Sequence, residues 1–497
     1  MKMIYGVKDR PKAGRLILFA LQQLLAILAA TITVPIVVNA NNPEAHMSIS
    51  AALFGAGVGT LVYLLFTKFR SPVFLGSSFA FLNSMIAAFA GATTATLGYL
   101  GILLGAVFAG LIYVIIAVVV KFAGVKWIDK IMPAVVIGPT VAIIGLSLAG
   151  SAIGQLAGGV KDSVTGAYTM DVRGILCVIC GLVTLATTIA CSVYGKKMLK
   201  MIPFVMGILA GYVMAAIFTA FSYIPGAESM RIIDFEYYFN VKNIEWYPDF
   251  AFIKLFGGDY GDKSLIGAYI GTIAVAYIPV AFVTFAEHLA DHKNISSIIE
   301  TDLLKEPGLT RTLLGDGVGS IAGAIFGGCP NTTYGESVGC VAISGNASVI
   351  TIFVTACMAV VCAFIGPFVA FLSSIPQCVM GGVCVALYGF IAVSGLKMIQ
   401  KVDLGDNRNL FTVSVILITG VGGMALQFGK VTVTAIAAAL ILGIVTNLLV
   451  NIRGKKKDGN EQLVMDGVTD SAAGVTVEPE AENVEEAAES VDAPAEE

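Results

Sequence analysis

Charged side chains are scarce in this chain of 497 residues. Only 13% of the residues are Asp, Glu, Lys or Arg, against about 25% in an average soluble protein. Histidine occurs three times, and the nine cysteines are scattered along the chain. We find no nucleophile–base pair, metal-ligand spacing or broad basic surface in the sequence. These absences argue against an enzyme, a metal or cofactor site, and a nucleic-acid partner.

Hydrophobic residues are abundant instead, at 57% of the chain. Apolar runs of about 20 residues, enough for a helix to cross a lipid bilayer, recur from end to end. We therefore predict an all-α, multi-pass membrane protein. Its fourteen spans are expected near residues 14–40, 48–67, 72–92, 94–121, 128–150, 173–192, 197–222, 264–290, 311–328, 332–346, 347–370, 376–396, 409–427 and 431–451.

The two halves of the chain resemble one another in short motifs. "MPAVVIG" from Met132 matches "IPQCVMG" from Ile375, and "GSSFAF" from Gly76 corresponds to "PNTTYGE" from Pro330. The second pair lies in spans 3 and 10, which Gly, Ser and Thr interrupt. Since these spans are seven apart, the halves are predicted to be inverted repeats, and paired broken spans indicate a transporter's central site.

The distribution of Lys and Arg predicts the orientation. Most of the 30 basic residues fall in alternate gaps between spans, which places both termini in the cytoplasm by the positive-inside rule. Residues 1–13 are then cytoplasmic and residues 223–263 form an outer loop. The tail, 452–497, carries thirteen acidic residues from Asp458 onward and is predicted to be disordered.

The stretch "FAEHLADH" places charge inside the eighth span. Glu287 and Asp291 are four residues apart and share one helix face. A charge at the centre of a span costs roughly 2.5–3.5 kcal/mol, so such a residue normally faces a cavity or a partner. One carboxylate is a candidate for binding a polar substrate and the other for exchanging a proton. His288 is a candidate relay, whereas His292 is expected to lie where the helix meets water.

The stretch "CPNTTYGESVG" is the second candidate site. Its Pro, Gly and hydroxyl residues interrupt a helix, and exposed backbone groups are tolerated there only if they line a cavity. Glu336 begins the next helix, and Tyr334 offers an aromatic face; Phe79 has the corresponding place in the first half. This set suits a neutral, planar heterocycle. The nearby "GDGVGSIAG" from Gly315 is interpreted as small-residue helix packing rather than a nucleotide loop.

These motifs resemble the nucleobase–ascorbate transporter family, also called nucleobase–cation symporter type 2, and within it the bacterial uracil permeases. The similarity covers residues 5–452 and is carried by "LGSSFAF", "AEHLAD", "DLLKEPGL" and "PNTTYGE". It implies two inverted seven-segment repeats with short strands in spans 3 and 10. It also implies a core domain, 14–121 and 264–370, and a gate domain, 128–222 and 376–451.

The resemblance also implies roles for individual residues. Glu287 and Glu336 match the two carboxylates that bind the nucleobase, and the backbone at Phe79 and Gly335 would donate to its carbonyl groups. Other positions that line the pocket in the family are Ala30, Tyr334 and Tyr388. Proton coupling is expected at Glu287, Asp291 and His288.

This chain departs from the family near the expected site. It has Gln22-Gln23 where the family often has Gln-His, and Ser337 where the family usually has Asn. Gln23 and Ser337 are therefore expected to face each other and to support the site.

The function expected from the resemblance is proton-coupled import of uracil across the cytoplasmic or inner membrane by alternating access. Carriers of xanthine or another purine use the same scaffold and are an alternative. An anion carrier or channel of similar architecture is a more distant one, because two acids do not suit an anion site. The resemblance also makes a homodimer plausible.

Overall fold

The computed structural model describes residues 3–452 except 125, 126, 128–131, 159, 163, 164, 197, 241, 257, 429 and 430. Apart from its first residue, the predicted acidic tail lies outside the described residues.

The first half of the chain is a series of apolar helices interrupted by short strands. The elements, in chain order, are α1 (Ala13–Asn41), α2 (Ile49–Phe66), β1 (Leu75–Ser77), α3 (Leu82–Ala90), α4 (Ala95–Ala123), α5 (Ala134–Ser147), α6 (Ala149–Ala157), β2 (Val160–Lys161), β3 (Tyr168–Thr169), α7 (Val172–Tyr194), α8 (Met198–Met201), α9 (Pro203–Phe221) and α10 (Phe235–Tyr238).

The second half is also a series of helices with short strands. Its elements are α11 (Lys263–Ile298), α12 (Leu309–Gly327), β4 (Asn331–Thr333), α13 (Gly335–Ser344), α14 (Val349–Cys362), α15 (Gly366–Ser373), α16 (Gln377–Ile399), α17 (Asn407–Val421), β5 (Leu426–Phe428), β6 (Val431–Val433) and α18 (Ala435–Asn451).

The chain is mostly helical, and many of its helices are apolar, as the hydropathy predicts. Eight helices of the described part are long and apolar enough to cross a membrane, or up to nine if a bent pair counts as one span. That pair is α14 and α15, which meet at 85°. The predicted span over 347–370 is thus divided by a sharp bend into α14 and α15. Pro367 in the first turn of α15 fits this break, since proline has no N–H and fits the start of a helix.

Spans 3 and 10 contain the short strands that the resemblance implies. β1 pairs with β4 in antiparallel register, with Leu75 opposite Thr333 and Ser77 opposite Asn331. Each strand is followed by a short helix, α3 or α13. The strand pair thus brings together two breaks that lie more than 250 residues apart in the chain.

The helices form two sets that pack mainly within themselves. In one set, α2 packs against α12 and α14, α4 against α11 and α12, and α1 against α14. In the other, α5 and α7 both pack against α16, α7 packs against α9, and α17 against α18. The matched prolines Pro133 and Pro376 are the N-cap residues of α5 and α16, so the sequence match falls at corresponding structural positions.

Small residues bring helices of the first set into close contact. A Cβ on Gly319 would lie 2.7 Å from the Gly59 carbonyl oxygen, and one on Gly317 would lie 3.1 Å from that of Gly110. Such approaches exclude any larger residue. The interpretation of "GDGVGSIAG" as a packing motif is confirmed for these glycines.

Candidate functional site

The antiparallel strand pair holds Tyr334 against β1. Its N–H donates to the Phe74 carbonyl at 3.2 Å, and its hydroxyl donates to the Ser77 carbonyl at 2.9 Å. A Cβ on Gly76 would collide with the Tyr334 ring, so this position accepts only glycine. The predicted aromatic side chain is therefore fixed at the junction of the two breaks.

The start of α13 exposes backbone next to a carboxylate. Tyr334 is its N-cap residue without a side-chain cap, and Glu336 lies in the first turn. The first N–H groups of a helix have no partner within it and attract polar or anionic groups. Gly335 is exposed, and a Cβ built there would meet only the Asp291 carboxylate, at 3.8 Å. This helix end therefore faces open space beside Asp291.

Helix α11 contributes the two predicted carboxylates to the same place. Asp291 accepts a hydrogen bond from the Thr333 hydroxyl at 2.7 Å, which joins α11 to β4. Glu287 lies within electrostatic range of Asp291 and Glu336. Across residues 3–452, excluding the gaps given above, no hydrogen bond ends on the Glu287 carboxylate. Glu287 is thus available to a ligand, and three acidic groups meet here.

An aromatic pair connects the two sets of helices at this site. Phe79, between β1 and α3, contacts Tyr388 of α16 edge to face, with ring centroids 5.7 Å apart and an interplanar angle of 78°. Among the described residues the Ser78 hydroxyl is buried without a hydrogen-bond partner, and the Tyr388 hydroxyl has only the weakly polar Cys384 thiol beside it. Buried hydroxyls are usually paired, so these two are candidates for contact with a ligand.

Helix α1 supports the site from the other side. Gln23 donates from its side-chain amide to the Ser337 hydroxyl at 2.7 Å, and the Phe74 N–H donates to the same oxygen at 3.2 Å. The predicted contact between Gln23 and Ser337 is therefore present. Ala30 is buried on α1, and the adjacent Thr31 lies 3.4 Å from the Tyr334 hydroxyl. The predicted site residues other than His288 thus lie on or next to the β1–β4 pair, α1, α11, α13 and α16.

The expectation for His292 is wrong. Helix α11 continues to Ile298 rather than ending near residue 290, and His292 is fully buried. Its ring stacks on His288 at 3.9 Å, its Nδ1 donates to the His288 carbonyl at 2.8 Å, and its Nε2 lies 2.6 Å from the Tyr63 hydroxyl. Polar partners on α2 and within α11 satisfy the ring, so the helix carries it inside the protein.

Asp316 is a polar residue of the core that sequence reasoning missed. It is 1% exposed and lies 2.7 Å from His288 Nδ1, while His288 Nε2 lies 3.0 Å from the Thr312 hydroxyl. The sequence feature that could have indicated it is a single acidic residue inside an apolar span, but it lies among the glycines of a packing motif. No hydrogen bond within the described ranges joins this group to Glu287 or Asp291. His288 therefore lies behind the candidate site, paired with Asp316.

Comparisons with known proteins agree with the motifs. Residues 14–429 match the profile of Xan_ur_permease, a Permease family. The "Uracil permease" of Bacillus caldolyticus is 38% identical over 452 residues, 90% of this chain and 95% of that protein. The "Uracil permease" of Bacillus subtilis is 37% identical, over 93% of this chain and 98% of that protein. That of Escherichia coli K12 is 32% identical, covering 89% and 93%.

Solved structures share the fold at low sequence identity. The transmembrane domain of a cyanobacterium bicarbonate transporter, BicA, matches with a TM-score of 0.57 at 14% identity, over 90% of this chain and 98% of that one. The murine Solute Carrier 26 family member A9, an anion transporter in the inward-facing state, gives 0.59 at 13% identity, over 90% and 69%. The fold is thus that of known membrane transporters, and the chain belongs to the Permease family, as a multi-pass membrane transporter and not an enzyme.

Proposed function

We propose that this protein imports uracil together with a proton by alternating access. The observation that carries the proposal is the grouping of Glu287 with Glu336 at the exposed start of α13. The Phe79–Tyr388 pair follows closely, because Phe79 is two residues beyond Ser77, whose carbonyl accepts from the Tyr334 hydroxyl. The names of the similar permeases supply the substrate class.

The chemistry of this site matches a uracil ring. Uracil is planar and carries two N–H and two C=O groups. Glu287 and Glu336 accept hydrogen bonds from the ring N–H groups, because carboxylates are strong acceptors. The backbone N–H groups at Phe79 and Gly335 donate to its carbonyl oxygens. Tyr334, Tyr388 and Ala30 enclose the ring, with Gln23 and Ser337 holding α13 in place.

The coupling proton binds at the acidic pair on α11. Glu287 and Asp291 lie one helical turn apart with Glu336 nearby, so their negative charges repel one another in a weakly hydrated site. Adding one proton removes part of this repulsion, which favours the loaded site. His288, paired with Asp316, is the adjacent candidate for passing the proton on.

Transport follows from movement between two domains. The core domain, 14–121 and 264–370, carries the substrate residues except Tyr388, and the gate domain comprises 128–222 and 376–451. The two packing sets of helices, the antiparallel β1–β4 pair and the matched N-caps Pro133 and Pro376 support two inverted seven-segment repeats. The outer loop, 223–263, then connects gate to core.

The proposed setting is the cytoplasmic or inner membrane with both termini in the cytoplasm. Its support is the concentration of Lys and Arg in alternate gaps of the sequence. The homodimer implied by the family resemblance stays a prediction.

Ligand binding to the purified full-length protein tests the substrate. We expect uracil to bind and to be displaced poorly by xanthine, hypoxanthine, uric acid and bicarbonate. Stronger binding of a purine would move the substrate to the alternative class on the same scaffold. Binding of bicarbonate without any nucleobase would refute the proposal.

A further inference from the structure

The first residues of the described chain pair with the segment that follows α13. The N–H groups of Ile4 and Tyr5 both donate to the Gly345 carbonyl, at 2.8 and 3.2 Å. Tyr5 and Asn346 form a parallel β-bridge. Ile4 and Tyr5 are therefore bonded to the chain immediately beyond α13, the helix that carries Glu336.

The pairing continues until α14 begins. The Ala347 N–H donates to the Tyr5 carbonyl at 2.9 Å, and the Val349 N–H donates to the Val7 carbonyl at 3.1 Å. The Ser348 hydroxyl donates to the Asp9 carbonyl at 2.6 Å. The bonds at Tyr5 are those of a parallel β-bridge, and residues 6–9 then turn, with the Asp9 N–H donating to the Gly6 carbonyl at 3.1 Å. We call residues 3–9 the N-terminal strap.

The strap contacts α13 at the end opposite the site. Gly345 ends this helix with φ +64°, and a Cβ there would meet Ile4 at 3.2 Å. The helix has ten residues and is about 15 Å long, so a shift at its far end moves Glu336 as well. The near end is held by the Gln23–Ser337 hydrogen bond.

The strap is also joined to α1, the helix that carries Gln23. The Tyr5 ring contacts Phe19 edge to face at 6.0 Å, and its hydroxyl lies 3.4 Å from the Arg15 guanidinium. Strap and α1 are continuous in sequence and hold the two ends of α13. The contacts just described all lie within the set of helices that carries the carboxylates, so the strap travels with the site.

We propose that the N-terminal strap is a positioning segment for the substrate site: it fixes the C-terminal end of α13 so that Glu336 keeps its place for the substrate. The inference rests on the proposed function for the identity of the ligand, and on the hydrogen bonds alone for the effect on α13. The N-terminal strap thus affects the affinity for the substrate although no strap residue touches the substrate.

Cutting the strap from the folded protein tests this role. A specific protease site is inserted between Arg10 and Pro11, beside the exposed Lys8, Asp9 and Arg10. The full-length protein is purified, immobilised, cut and washed. Hydrogen exchange of the α13 amides and uracil binding are measured before and after the cut, with uncut insertion protein and protease-treated wild type as controls.

We expect the cut to speed exchange within α13 and to weaken uracil binding by about fivefold or more, a change of about 1 kcal/mol. Unchanged exchange in α13 would overturn the proposal, and so would faster exchange with unchanged affinity. If the uncut protein does not bind uracil, the proposed function fails while the exchange result still decides whether the strap holds α13.

Point variants give an independent test in transport assays. Tyr5→Pro removes the N–H that donates to Gly345, whereas Tyr5→Phe keeps both this N–H and the ring. We expect Tyr5→Pro to raise KM with the maximal rate per transporter retained, and Tyr5→Phe to behave like wild type. Lys8→Ala, at an exposed position of the strap, is the matched control. An unchanged KM in Tyr5→Pro at normal membrane levels contradicts the proposal.

Discussion

At the scale of single residues, Glu287 is the group on which substrate binding depends most. It lies at the site without a hydrogen-bond partner in the described part of the chain, so its charge is available to a substrate N–H. We expect Glu287→Gln to reduce uracil binding at least tenfold, because a hydrogen bond to a charged group contributes about 1.5–3 kcal/mol. Binding to the purified variant measures this. Glu44→Gln, at an exposed carboxylate, is the matched control, and equal affinities in the two variants would exclude the assignment.

The contact between Gln23 and Ser337 also acts at the residue scale. We expect Gln23→Ala and Ser337→Ala each to weaken uracil binding, because either change releases α13 from α1. The double variant should lose less binding free energy than the two single variants lose together, with a coupling energy of about 1 kcal/mol. Dissociation constants for the four proteins give this value. Strictly additive effects would show that the two side chains act separately.

At the scale of elements, the β1–β4 pair is the feature that assembles the site. We expect Gly76→Ala to abolish uracil binding, because the added methyl group collides with the Tyr334 ring and separates the strands. Gly339→Ala, on α13 with nothing within 4 Å of the new methyl group, is the matched control and should bind as wild type. Both variants are compared for uracil affinity and for amount in the membrane. Normal binding by Gly76→Ala would mean that this strand contact is not required.

At the scale of the whole molecule, the proposed coupling makes uptake depend on the proton gradient. A proton that enters with the substrate is driven inward by an acidic exterior, so we expect uptake into proteoliposomes to rise as the outside pH falls. A protonophore should abolish accumulation above equilibrium, while replacing sodium with potassium should have no effect. Accumulation that survives the protonophore and requires sodium would assign the coupling to a different ion.

The sequence by itself determined the class of this protein. Its scarcity of charge and its recurring apolar runs predict a multi-pass membrane protein, because a helix must bury about 20 apolar residues to cross a bilayer. The motifs around Glu287 and Glu336 carried the family, and the Gly, Ser and Thr residues of spans 3 and 10 marked the breaks. These features are local, so residue type and spacing reveal them directly.

Only the tertiary structure decided which polar residues belong together. Hydrophobic periodicity does not indicate the partner of a buried side chain. The sequence therefore placed His292 at the end of a helix, and it gave no reason to single out Asp316 within a packing motif. The stack of His292 on His288 and the His288–Asp316 contact join α11 to α12, and the strap joins residues 3–9 to 345–349. Such pairings depend on how segments far apart in the chain pack against each other. The spacing of residues along the sequence does not show which segments come into contact.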